Sequence, residues 1–233
     1  MVNNYLYLIL NIGSLSIPLL YSIFEKKFHF IQYFKSAFLS ILAIAIPFLI
    51  WDALFTSSGV WGFNSDYHLS LLIFKMPIEE WLFFFCIPYA CLFTHEVLIH
   101  YLPNYKLSKP LAFWISISAI GLVIILLIFN IGKLYTTVNF IFFLCLILYS
   151  LKYHFEELTA YYSSFLVIII PFLIVNGTLT GSFIENPVVW YNNNENIGFR
   201  LFTIPFEDLF YAFNLLFSVQ LVFNFLKPIN NVK

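Results

Sequence analysis

Two short stretches hold most of the chemistry this sequence can do. Residues 73–85 read IFKMPIEEWLFFF, with Glu79 and Glu80 side by side just after Pro77. Residues 201–213 read LFTIPFEDLFYAF, with Glu207 and Asp208 in the same relation to Pro205. A third acidic position, Asp52, lies in FLIWDALF. Carboxyl groups set close together in an apolar place suit proton transfer. Desolvation and a neighbouring carboxylate both favour a protonated form, so one group can give a proton while another takes one. A set of this kind titrates as a unit, and residue types alone do not name the acid. There is an ordinary reading too: acids in a first helical turn are stabilised by the helix dipole, which acts against protonation.

The surroundings of these acids suit a positive charge. The chain has 30 Phe, 15 Tyr and 5 Trp. Trp61, Trp190, Tyr191 and Tyr211 all lie near the motifs, and Tyr211, four residues after Glu207, shares its helix face. An aromatic face stabilises a desolvated cation by up to ~2 kcal/mol. Aromatic side chains also gather at membrane interfaces for structural reasons alone.

These residues must be positioned by membrane helices. Of 233 residues, 61% are hydrophobic and only 10% charged, with a mean hydropathy of +0.89, against about 25% charged in a soluble domain. Spanning helices need about 20 apolar residues, and seven segments qualify, at roughly 4–23, 36–55, 77–99, 111–130, 134–151, 159–178 and 205–226. The first lacks a basic leader and a small-residue cleavage site, and is expected to be a retained helix. Alternate loops carry Lys26, Lys27, Lys35, Lys106, Lys109, Lys152, Lys227 and Lys233 on one side, against Lys75, Lys133 and Arg200 on the other. The positive-inside rule then puts the N-terminus outside, the C-terminus in the cytoplasm and both acidic motifs at the outer face.

The chain repeats itself. IPFLIWDALFT (Ile46 to Thr56) lines up with IPFLIVNGTLT (Ile170 to Thr180), and MPIEEWLFF with IPFEDLFYA. Asp52 thereby pairs with Asn176, Glu79 with Glu207 and Glu80 with Asp208. The expected fold is all-α and membrane-integral. Its seven helices form a 3+1+3 parallel internal repeat about a pseudo-two-fold axis along the membrane normal. The divisions expected are a first three-helix repeat at 1–103, a connector helix at 104–132 and a second repeat at 133–233.

Several functions lack a foothold. The net charge of −1 offers no basic patch for nucleic acid. No GxGxxG marks a dinucleotide fold, and His68, His95, His100 and His154 are too scattered for a metal centre. Cys86, Cys91 and Cys145 fall in apolar runs and read as small hydrophobes. The last helix has no interior lysine for a retinal Schiff base. What remains is chemistry without a cofactor or metal on an apolar substrate, or, as the alternative, a small-solute transporter built from the same repeats.

PIEE in the first half resembles the membrane-integral lycopene cyclases. So do NGTLTG (Asn176 to Gly181), PVVWYN (Pro187 to Asn192) and TIPFEDLFY (Thr203 to Tyr211) in the second. The layout looks like the fused form of that duplicated family. The resemblance implies a lycopene β-cyclase that closes the ψ-ends of lycopene to β-rings, through γ-carotene to β-carotene, with no net redox change. It implies proton handling by Glu79, Glu80, Glu207 and Asp208. Support would come from Asp52, Asn176, Tyr191, Asn192 and Arg200, although Arg200 equally suits an interfacial side chain reaching for water. The partners it implies are lycopene dissolved in lipid and the membrane lipids themselves, in a bacterial inner membrane. Contact with other enzymes of carotenoid synthesis is a further expectation.

Overall fold

A computed structural model describes residues 3–228; Lys233, counted above with the inner-side lysines, lies outside the described residues. Seven helices are long and apolar enough to cross a membrane: α1 (Leu6–Phe24), α2 (Phe34–Ser57), α3 (Ile78–Tyr101), α4 (Lys109–Asn130), α5 (Leu134–Tyr153), α6 (Phe155–Leu179) and α7 (Glu207–Leu226). All seven segments expected from hydropathy are present, with ends shifted by a few residues. The largest shift is at α6, which starts at Phe155, so that only His154 separates it from α5. Its first turn carries Glu156 and Glu157, polar enough to hide the start from a hydropathy reading but well suited to the positive end of a helix.

Helix packing follows the sequence repeat. α1 lies on α3 as α5 lies on α7, and α2 packs across to α7 as α6 packs across to α3. α4 rests on α5 and α6. The main core joins residues of α2, α3, α5, α6 and α7, among them Phe48, Phe84, Phe140, Tyr161 and Phe217, each at most 2% exposed. Exposed apolar side chains such as Ile128, Phe129 and Leu166 cover the outside, as a bundle bathed in lipid requires.

The two longer connections carry short strands: β1 (Trp61–Phe63), β2 (Leu72–Ile73) and β3 (Met76–Pro77) before α3, and β4 (Val189–Tyr191), β5 (Arg200–Leu201) and β6 (Ile204–Pro205) before α7. β2 and β3 form a hairpin, as do β5 and β6. Pro77 and Pro205 thus end these hairpins rather than beginning the helices. Pro77 is extended (ψ 151°) at the N-cap of α3, and Phe206 separates Pro205 from α7. β1 pairs antiparallel with β4, Trp61 opposite Tyr191, Gly62 opposite Trp190 and Phe63 opposite Val189. The two halves are therefore hydrogen-bonded to each other across one end of the bundle. A Cβ on Gly62 would stand 2.4 Å from the Trp190 ring, so this close crossing requires glycine.

At the opposite end Lys227 donates to Glu96 Oε2 at 2.5 Å, and Gln220 donates to Glu96 Oε1 at 2.9 Å. The ion pair lets a buried carboxylate on α3 persist in an apolar setting.

Candidate active site

The N-terminal turns of α1, α3, α5 and α7 and the C-terminal turns of α2 and α6 meet beneath the β1–β4 ladder. There they enclose a cavity of about 70 Å³. Six polar side chains reach it, one from each helix: Tyr7, Asp52, Glu80, Tyr135, Asn176 and Asp208. Trp61, Tyr191 and Tyr211 supply aromatic walls. Every one of the six polar groups is at most 9% exposed.

The two halves use these groups differently. In the first, Tyr7 donates its hydroxyl to Glu80 Oε2. Asp52 Oδ1 accepts from Trp61 Nε1 at 2.5 Å and from Thr56 Oγ1 at 3.4 Å. The Asp52 and Glu80 carboxyl groups are neighbours in this cavity. A hydrogen bond between two carboxyl groups needs a proton on one of them, because an ionised carboxylate only accepts. Two neighbouring carboxyl groups in a poorly hydrated place can hold one proton between them.

In the second half the place of Asp52 is taken by Asn176. Asp208 Oδ1 accepts from Tyr135 at 2.5 Å, while Oδ2 accepts from Asn176 Nδ2 at 2.8 Å and from Tyr191 at 3.0 Å. Three donors on one carboxyl suit the ionised form. Burial, with Asp208 beside it, pushes the Tyr191 hydroxyl well above the usual tyrosine range, so it stays a donor.

Glu79 and Glu207 do not line this cavity. Both are fully buried and do the same task in each half. Glu79 Oε1 accepts the Leu69 backbone N–H at 2.7 Å, and Glu207 Oε1 accepts that of Ile197 at 2.7 Å. Thr136 adds a second donor to Glu207 at 2.5 Å. Each glutamate ties the preceding loop to its helix. The acids read from the sequence as two adjacent pairs are thus separated, one of each pair facing the cavity and one facing the loop. A helix turns about 100° per residue, so neighbours cannot share a face.

The remaining expected residues divide likewise. Trp190 is 44% exposed and lies over Gly62. Asn192 forms a turn, its side chain accepting from Asn194 N and its carbonyl from Asn196. Arg200 donates to Thr203 O and Asn193 Oδ1, both at 2.8 Å, with its guanidinium 5.8 Å from the Tyr191 ring centre. It touches the site through Tyr191 alone.

Residues of α1 and α5 went unread in the sequence. Besides Tyr7 and Tyr135, Asn11 donates to Glu79 O at 2.8 Å and Asn139 to Glu207 O at 2.7 Å. The signal was there: a Tyr followed four residues later by an Asn occurs at the start of both helices, at the spacing that puts two side chains on one face.

The family model for lycopene cyclase matches residues 4–98 and again residues 132–226. The chain belongs to this family, and the two matches fall on its two repeated halves. It is accordingly a multi-pass membrane enzyme of carotenoid cyclisation. Neither curated proteins nor solved structures gave a match to the chain.

Proposed function

We propose that the protein closes the ψ-ends of lycopene to β-rings, giving γ-carotene and then β-carotene. The observation that carries this reading is that one aromatic cavity holds two neighbouring carboxyl groups, Asp52 and Glu80, together with a third, Asp208, that accepts from three donors. The Asp52–Glu80 pair gives its proton to the terminal alkene, leaving a tertiary cation. A second alkene of the same chain attacks that carbon, closes a six-membered ring and moves the positive charge onto a ring carbon. Asp208 removes the neighbouring ring proton and the ring double bond forms. The proton returns to the pair between turnovers. Atoms and electrons balance within the substrate, so the reaction is an isomerisation with no net redox change. Trp61, Tyr191 and Tyr211 stabilise the travelling charge through their ring faces, as cation–π contacts do most strongly when dry.

In this reading Glu79 and Glu207 fix the loops, and Asn176, Tyr135 and Tyr7 set the protonation state of the acids they touch. The halves are related by a two-fold axis along the membrane normal. The membrane is a bacterial inner membrane, with the cavity toward its outer face, as the lysine distribution supports. The substrate arrives from lipid.

The test is a pigment chromatogram from a bacterium that accumulates lycopene and expresses this protein. Cyclised carotenes with β-ring spectra are expected. Unchanged lycopene, with the protein verified in the membrane, would overturn the proposal, and ε-rings would overturn its final step.

A further inference from the structure

A larger hollow adjoins the carboxyl cavity. A groove of about 280 Å³ lies between α1, α3 and α6, and shares Phe83, Phe172 and Asn176 with the lining of the cavity. It follows α3 past Ala90 to Thr94, and at 1.5 Å rise per residue Glu80 to Thr94 spans about 20 Å. Its α1 wall is low, with Gly13 and Ser14 facing it, and Gly13 and Ile17 exposed on the lipid side. A long apolar molecule can enter sideways there.

The equivalent space in the second half, between α5, α7 and α2, is filled. Phe142 stands where the first half has Ser14, Tyr211 where it has Phe83 and Trp51 where it has Val175. Phe48 lies 5.5 Å from Phe142 and 5.3 Å from Tyr211, and Trp51 lies 5.1 Å from Tyr211, ring centre to ring centre. Phe48 and Tyr211 have ring counterparts in Phe172 and Phe83, so Phe142 and Trp51 are the rings that add bulk in the second half. A wider groove of about 560 Å³ runs along α2 beside Phe74 and Trp81, but it shares no lining residue with the cavity.

Resting on the function proposed above, we propose that the groove between α1, α3 and α6 seats the polyene chain of the acyclic carotenoid, with one end of that chain in the carboxyl cavity. A second hollow, beside Trp190 and Arg200, shares Val189 and Tyr191 with the cavity but is lined by the loops, so the groove is the one entrance from lipid in this proposal. Only one end of the substrate is cyclised per visit, and the half-cyclised molecule must leave and return reversed for the second ring.

Ala90→Phe tests the seat. It is assayed on purified protein in detergent with two substrates: lycopene, and a truncated polyene of about half that length with one ψ-end. A ring inserted at Ala90 should lower kcat/KM for lycopene about tenfold or more, because the added ring competes with the substrate for the same space. It should leave the short polyene nearly untouched. Gly13→Leu repeats the lycopene test at a position where an added Cβ meets open space. Cys145→Leu, on the exposed face of α5, is the control and should change neither substrate. Equal retention of both substrates by Ala90→Phe overturns the proposal. So does equal loss of both, because the effect would then not depend on chain length. Wild-type protein that cyclises neither substrate would instead refute the function itself. In a wild-type time course, monocyclic product should accumulate well above the enzyme concentration before bicyclic product appears. Bicyclic product formed with no free monocyclic pool would overturn the single entrance.

Discussion

Asp52 and Asn176 stand at equivalent positions on α2 and α6, and this one difference gives the two halves opposite hydrogen-bonding roles. Asp52 meets Glu80 as a second carboxyl group and, on the function proposed above, shares a proton with it. Asn176 meets Asp208 as an amide donor at 2.8 Å, leaving Asp208 an acceptor on both oxygens. On the function proposed above, a duplicated scaffold thereby supplies an acid on one side and a base on the other. Two identical halves could not do so, since each would stabilise the same protonation state.

The first expectation concerns the acid. Glu80→Gln and Asp52→Asn should each lower the cyclisation rate by about 10²–10⁴, the usual contribution of a general acid or base. Single-turnover pigment assays on membranes with matched protein levels measure this. Near-normal turnover in both variants would remove the pair from the mechanism.

Asn176→Asp probes the asymmetry directly. It replaces a donor to Asp208 with a second acid, so Asp208 must then share a proton rather than accept one. Turnover should fall at least about tenfold, while the isosteric side chain leaves packing unchanged. Full activity would mean that the difference between the halves has no catalytic weight.

Glu207→Gln should behave unlike its neighbour Asp208→Asn. A glutamine oxygen still accepts the Ile197 N–H, so the loop stays tied and most activity survives, whereas loss of the Asp208 charge abolishes it. Thr136→Val removes one buried donor to Glu207 and should cost about 1 kcal/mol in stability, read as a lower thermal midpoint in detergent with kcat little changed.

Much of this architecture was legible beforehand. The seven spans follow from hydropathy because lipid demands long apolar helices, and the repeat follows from matched motifs such as IPFLI and the paired acids. The shared depth of Asp52 and the Glu79–Glu80 pair was readable because the end of one helix meets the start of the next, but that only Glu80 faces Asp52 was not. The division of labour within each acidic pair was not. It depends on the rotation of α3 and α7 about their axes, set by loops whose strand pairing has no hydropathy signature. Tyr7 and Tyr135 stayed hidden because tyrosine at a helix start looks like an ordinary interfacial residue. The plugged second groove was hidden because sequence alone does not show that the rings of Phe48, Trp51 and Phe142 pack around Tyr211.

Gly62→Ala is expected to destabilise the protein by about 1–3 kcal/mol, because its methyl group would enter the Trp190 ring. Adding Trp190→Ala to that variant should restore much of the loss. Thermal melts of the three proteins decide this, and an unrescued double variant would place the strain elsewhere in the strand.

The β1–β4 ladder has a chemical consequence beyond joining the halves. Trp61 and Phe63 from one strand and Val189 and Tyr191 from the other cover the cavity on the side that faces bulk solvent. A tertiary cation that meets water is captured as an alcohol before any ring can close. On the function proposed above, the ladder is thus an umbrella over the reacting carbon. The same acids beneath a leaking cover would hydrate the alkene instead of closing the ring.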